Sequence, residues 1–274
     1  MSDRRVLIGR RHALEDKAER DVAAAFATAT GDDPQRYLAD GTAPPFAAVR
    51  YVAPLWRRVY QDPELSTQDQ LVLHAEQRML FARPIPLDEP LAAWCRVQDV
   101  VGFGFGDAAV IRSGLTDRAG RGLVSMASTL AMQGASGFPP ERRRFHQPSR
   151  GPLVAEVART FPADATVRYA DAADDHNPLH LDDEAARAAG HPSRIVHGMC
   201  TLATGMTALA EALSPAGAGA LRYVRVRFAR PVLPETEVVY RAYGTATPGT
   251  FAVSAELAGR PVLKNAVLRL SGGN

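Results

Sequence analysis

The sequence predicts an α+β protein made of two tandem copies of one unit, each an antiparallel sheet wrapped around a central helix. Three observations lead there. Two pairs of segments repeat in the same order at nearly the same spacing, each half carries an apolar helical stretch, and each half ends in strand-like runs.

The repeat fixes the organisation of the whole chain. FATATGDDPQRY, from Phe26, lies without gaps over YADAADDHNPLH, from Tyr169, an offset of 169 − 26 = 143 residues. FARPIPLDEPL, from Phe81, matches FARPVLPETEV, from Phe228, at 228 − 81 = 147. The small drift needs only a short loop insertion. A chain of 274 residues has room for two cores of roughly 130 to 140 residues each. The expected division is a first unit over 1–135, a linker over 136–152 and a second unit over 153–274. The segment Gly134 to Pro152 is rich in Gly, Pro, Ser and Arg and has neither hydrophobic period. Its Arg142 to Arg144 cluster reads as a solvated face, with a phosphate contact as the alternative.

Within the units, Leu14 to Thr30 reads as a helix ended by Gly31, a residue suited to a left-handed terminator. Asp164 is placed to cap a shorter helix running into the alanines before Asp174. After His197-Gly198, MCTLATGMTALAEAL carries only small, apolar or hydroxyl side chains until Glu211 and stops at Pro215. A helix with no polar face must be buried all round, and a curved sheet wrapped about it is the economical way to do so. Pro44 to Tyr60 is its less pure counterpart. Strand-like stretches follow each FARP segment: LAAWCRVQDVVGF in the first half, VVYRAYG and FAVSAEL in the second. Just before the second FARP, Val224, Val226 and Phe228 alternate with Arg225 and Arg227, so one face is buried and the other is wet or faces a ligand.

Composition excludes several classes of function. With 46% hydrophobic and 23% charged residues the chain is neither disordered nor fibrous. A net charge of +2 with dispersed basic residues lacks the electrostatic footprint of a nucleic-acid binder. No apolar run reaches the roughly 18 to 20 residues a membrane span needs. The N-terminus is charged and never develops an apolar signal core, so a cytoplasmic protein is expected. Cys95 and Cys200 stand far apart, without the pattern of a disulfide framework, which fits a reducing compartment. Small molecules are the expected partners.

Four of the seven histidines, at 176, 180, 191 and 197, fall close together with Asp174, Asp175, Asp182 and Asp183. Asn177-Pro178 pushes Asn177 out of helical geometry, so Asp175 and His180 flank a turn and can converge on one point. A carboxylate and an imidazole meeting beside a buried helix suit proton transfer near neutral pH. Asp175, His176 and His180 are also metal-ligand types, but the two histidines would share a face only on a helix, which Pro178 interrupts. Neither a metal nor a cofactor is expected. In the first copy Asp32 stands over Asp175, while Tyr37 replaces His180 and Pro34 replaces Asn177, which points to one active site per chain.

YADAADDHNPLH followed by IVHGMCTLA resembles the signature of the MaoC-like, or hydratase 2, family, whose members adopt the hotdog fold. The first half resembles the diverged N-terminal hotdog unit of this family at Ala43 to Pro45, LHAEQ (Leu73 to Gln77) and FARPI. The resemblance implies two tandem hotdog units and a hydro-lyase that interconverts 2-enoyl and (R)-3-hydroxyacyl thioesters. It assigns Asp175 and His180 as the catalytic pair and the Gly198 backbone N–H as the oxyanion donor. It gives Asn177 a loop-shaping role, while His197, from its place beside Gly198, is expected to hold the turn or cap the helix rather than act on substrate. The implied substrate is an acyl-CoA or acyl carrier protein thioester, the implied assembly a homodimer, and the first unit supplies half of a pseudo-dimer and the acyl tunnel. Two positions depart from the family pattern: Asp174, where glycine is usual, places an extra acid beside Asp175, and Met206 stands where some relatives have a hydroxyl. The rival readings are a hotdog thioesterase and a non-catalytic acyl-thioester-binding subunit.

Overall fold

The computed structural model describes residues 4–63, 72–104, 106–133 and 148–271. The first half runs through strand β1 (Arg11–Lys17), helices α1 (Arg20–Ala29) and α2 (Pro34–Asp40), strand β2 (Thr42–Ala43) and helix α3 (Ala48–Tyr60). Strands β3 (Val72–Phe81), β4 (Ile85–Pro86), β5 (Pro90–Phe103), β6 (Gly106–Asp117) and β7 (Gly122–Gln133) complete it. The second half opens with β8 (Leu153–Thr160), then α4 (Ala165–Ala173), α5 (Pro178–Leu181), α6 (Asp183–Ala188) and α7 (Gly198–Leu213). It closes with β9 (Leu221–Phe228), β10 (Glu237–Gly244), β11 (Thr250–Leu257) and β12 (Arg260–Leu270).

Apart from the short β2–β4 ladder, the strands form one antiparallel sheet in the order β1-β5-β6-β7-β3-β9-β12-β11-β10-β8. The order is a palindrome. Reading inward from both ends pairs β1 with β8, β5 with β10, β6 with β11, β7 with β12 and β3 with β9. Two hotdog units therefore share a single sheet, and their seam is the antiparallel β3–β9 pair, with Gln77 opposite Val226 and Met79 opposite Val224.

Each half wraps its strands around one long helix. In α7 the side chains from Met199 to Ala210 are all buried, as an apolar helix without a wet face requires. Leu202, Met206 and Leu209 are fully enclosed, each contributing about 1.5 to 3 kcal/mol of apolar burial. The sheet approaches α7 closely because Gly205 has no side chain: a Cβ there would lie 2.0 Å from the Tyr240 ring. The Tyr240 hydroxyl donates to the Thr201 carbonyl at 2.9 Å and fixes that approach. In the first half α3 packs on β1, β5 and β6 through an apolar face that includes Val52 and Leu55.

Two expectations need correction. Leu14 to Lys17 is not helical but the end of β1, pairing with Ala93 to Pro90 of β5. His12 and Leu14 point toward the core and their neighbours outward, a period of two that an available sheet edge captures. Helix α1 starts only at Arg20 and ends at Ala29, with Gly31 at φ +72° beyond it. Asp164 does stand at the start of α4, but its carboxylate takes Arg168 at 2.7 Å and caps no helix amide. Most of the Gly134 to Pro152 segment, including Arg142 to Arg144, lies outside the described residues. No helix among the described residues is long and apolar enough to cross a membrane.

Candidate active site

The chemistry-bearing turn is built by how α4 ends. Asp174 takes the left-handed conformation, φ +52°, and the next amide, that of Asp175, returns to the Ala170 carbonyl at 3.0 Å. The first copy turns identically: Gly31 has φ +72° and the Asp32 amide returns to Ala27 at 2.9 Å. This explains why glycine suits position 174, since a left-handed residue strains any Cβ. Asn177, extended at φ −60° and ψ 127°, then starts α5 by accepting the Leu179 amide at 3.1 Å, with Pro178 as first helical residue. One short helical turn swings His180 back toward Asp175.

Asp175, His180 and His197 bring one side-chain atom each to within 4.8 Å of the others. The His180 Nδ1 lies 2.8 Å from the Ile195 carbonyl. A carbonyl can only accept, so Nδ1 carries the hydrogen and Nε2 keeps its lone pair. Burial pulls the His180 pKa below the usual histidine value, with the Asp175 charge opposing only in part. His197 occupies the N-cap position of α7 without a side-chain capping bond, so it does not act as the cap that was one of its two expected roles. Its Nε2 donates instead to the Asp175 carbonyl at 3.0 Å. Its ring lies against that of His180, centroids 3.7 Å apart at 30°, and burial holds its pKa well down.

The third member of the cluster is thus His197 and not His176, which is exposed and faces Asp171 and Asp174 at 3.3 and 3.6 Å.

A cavity of about 610 Å³ opens beside these groups, walled by both halves. Gly198 lines it at the start of α7, where first-turn amides lack intrahelical acceptors and the helix dipole is positive. A Cβ at Gly198 would come within 3.0 Å of the Phe228 ring, so the glycine lets the second FARP segment close on the helix. Arg227, Arg230 and Lys264 add cations to the lining.

Sequence reasoning gave no role to three first-half residues that reach this site. Arg57 on α3 donates to the Asp174 carbonyl at 2.6 Å and faces its carboxylate at 3.3 Å, clamping the residue before Asp175. Tyr60 lines the cavity one turn later. His74 on β3, part of LHAEQ, bonds Gln77 Oε1 at 2.9 Å, and the same oxygen accepts the Ser128 hydroxyl at 2.6 Å. Burial pushes the His74 pKa down to about 4.

Residues 144–257 match the MaoC like domain. Enoyl-CoA hydratase ChsH3 of Mycobacterium tuberculosis is 30% identical over 218 residues, covering 74% of this chain and 75% of that one. The chain belongs to the MaoC-like family. The MaoC-like chain is also 29% identical over 208 residues to peroxisomal multifunctional enzyme type 2 of Drosophila melanogaster, covering 73% of this chain but 34% of that enzyme. It therefore spans about a third of that relative's length. The solved full-length Drosophila structure aligns with a TM-score of 0.78 at 25% identity, over 95% of this chain and 48% of that one. A conserved Mycobacterium tuberculosis protein with a double hotdog fold aligns over 96% of both chains, TM-score 0.64 and 15% identity, a likeness of fold alone.

Proposed function

We propose that this MaoC-like chain reversibly hydrates 2-enoyl thioesters to (R)-3-hydroxyacyl thioesters, with Asp175 and His180 acting on one water and the Gly198 N–H receiving the thioester oxygen. The observation that carries the reading is the convergence of Asp175 and His180 within 4.8 Å, in a cavity of about 610 Å³ that also reaches the start of α7. Relatives named enoyl-CoA hydratase ChsH3 and 3-hydroxyacyl-thioester dehydratase Y support the reaction class.

The tautomer fixed by Ile195 gives His180 the accepting role. His180 Nε2 takes one proton of the water while the Asp175 carboxylate holds the other, and the oxygen adds to Cβ. The displaced electron pair moves to the thioester oxygen, stabilised by the Gly198 N–H and the positive end of α7. The imidazolium returns its proton to Cα, so one H and one OH from a single water end on adjacent carbons. Dehydration is the same path reversed. Because both groups stand on one side of the substrate, a single face is hydrated.

In this reading the second unit, 153–274, carries the chemistry, and the first, 1–135, supplies a wall and the acyl tunnel through α3 and β3. The substrate is a coenzyme A or acyl carrier protein thioester, with phosphates suited to Arg227, Arg230 and Lys264. The buried free thiols Cys95 and Cys200 fit the reducing cytosol, and the assembly is a homodimer, which sedimentation tests directly.

The test is a spectrophotometric assay over crotonyl, medium-chain and branched enoyl thioesters, with product analysis. Loss of enoyl absorbance with a hydroxyacyl product is expected, and Asp175→Asn and His180→Ala should each lower kcat by about 10² to 10⁴ with the fold intact. Near-normal turnover in both variants overturns the site assignment. Release of free thiol and acid would make the chain a thioesterase.

A further inference from the structure

A second cavity, of about 590 Å³, lies on the other side of the β3–β9 seam and is lined by Tyr37, Phe81, Arg83, Glu211 and Arg222. Two bonds of its frame repeat those of the catalytic cavity. In the second half the Ala229 amide donates to Val262 at 2.9 Å and Arg230 to the Pro261 carbonyl at 3.1 Å. In the first half the Ala82 amide donates to Leu123 at 2.9 Å and Arg83 to the Gly122 carbonyl at 2.8 Å. Each cavity takes its far wall from the opposite half: α3 and β3 in the catalytic one, the end of α7 and β9 in this one.

The shape is kept while the chemistry is gone. Tyr37, the gapless match of His180, stands one residue further past its helix-opening proline than His180 does, because Asp33-Pro34 opens α2 as Asn177-Pro178 opens α5; its hydroxyl donates to Asp32, whose side chain is 3% exposed and so is engaged, not turned toward a water. The counterpart helix is entered through Pro44-Pro45, which have no N–H to offer an oxyanion. Three exposed cations stand at this cavity: Arg36, which is taken up by Glu211 and Asp32, and Arg83 on the Gly122 carbonyl and Arg222 on those of Gly219 and Leu221, which face no carboxylate in these bonds. A guanidinium has five N–H donors, so such backbone bonds leave capacity for a phosphate.

We propose that this cavity is a second, non-catalytic binding site for the same class of molecule, an acyl thioester of phosphopantetheine, with its thioester against the first FARP segment and a phosphate on Arg83 and Arg222. The inference rests on the function proposed above. The experiment is calorimetric titration of the full chain with hexanoyl-coenzyme A, a saturated thioester that cannot be hydrated. Wild-type protein should take up two molecules per chain. Arg83→Glu/Arg222→Glu should take up one, while hydrating crotonyl-coenzyme A within about twofold of the wild-type rate, which also reports that it is folded.

One bound molecule per wild-type chain, with normal hydration, overturns the second site and leaves the proposed function standing. Two molecules retained by the double variant, or hydration lost with them, overturns the location. Absence of both binding and hydration overturns the function itself. Repeating the titration with the hexanoyl group on an acyl carrier protein separates the two sources of phosphopantetheine: a second equivalent with only one of them names the natural occupant.

Discussion

Phe26 and Tyr169, the residues that head the two repeats, lie against each other with ring centroids 5.6 Å apart. A residue can touch its own counterpart only where the axis relating the two halves passes, so the pseudo-twofold runs between these rings, where α1 meets α4. The other side of Tyr169 meets the His197 ring at 4.8 Å. Two side chains, Tyr169 and His197, thus stand in line between the axis and His180 of the proposed dyad.

No group among the described residues bonds the buried Tyr169 hydroxyl. Tyr169→Phe would match the partner ring and remove only an unsatisfied polar atom. Its stability to chemical denaturation should be unchanged or up to about 1 kcal/mol higher. Tyr169→Ala, which empties the axis, should cost about 3 to 5 kcal/mol. A destabilised Phe variant would mean that the hydroxyl has a partner in solution.

His197→Phe preserves a ring against His180 but removes the donor to the Asp175 carbonyl. A small displacement of a reacting group is enough to lower kcat by about 10 to 100-fold while KM stays near its starting value. Steady-state kinetics on a folded variant decides: a raised KM with kcat intact would place His197 in substrate binding instead.

The left-handed Asp174 separates backbone strain from charge. Asp174→Gly and Asp174→Ala both lose the carboxylate that faces Arg57, yet only glycine relieves φ +52°. The Gly variant should be more stable than the Ala variant by about 1 kcal/mol, read from the two melting temperatures. Equal melting would show that the turn relaxes around alanine.

Three histidines, His197 buried and His74 and His180 partly buried, set the acid limb of stability. His74, lowered to about 4, and His180 and His197, also below the ordinary value of 6.5, stay neutral in the folded chain when the unfolded chain binds protons. Above pH 6.5 both states are neutral and stability is complete. Below it each histidine costs up to about 1.4 kcal/mol per pH unit until its own folded value is reached. Denaturation measured between pH 7 and pH 4 should therefore show stability falling steadily, as an estimate of order several kcal/mol. Activity follows the same sign: neutral His180 is the accepting form, so kcat/KM should begin to fall only below the ordinary histidine value. A stability curve flat over that range would contradict the burial.

The local parts of this structure were legible. The repeat, the helix without a wet face and the Asn177-Pro178 turn are short-range patterns whose cause lies within a few residues. What escaped was set by distant contacts. Leu14 became strand because β5 offers it an edge, and Arg57 and His74 reach the site only because α3 and β3 lie across the seam from α4 and α5. Asp164 was placed correctly, but Arg168 outcompeted the helix amides for its carboxylate. The role of His197 was hidden because the Asp175 carbonyl it bonds comes from 22 residues earlier.

Joining the halves in one covalent chain changes what a single codon can do. In a pair of identical subunits every substitution is made twice, and a tyrosine at the histidine position would silence both pockets at once. In the palindromic sheet Tyr37 stands in one pocket while His180 is kept in the other. The single chain can therefore hold different side chains in two pockets that a pair of identical subunits would have to keep alike.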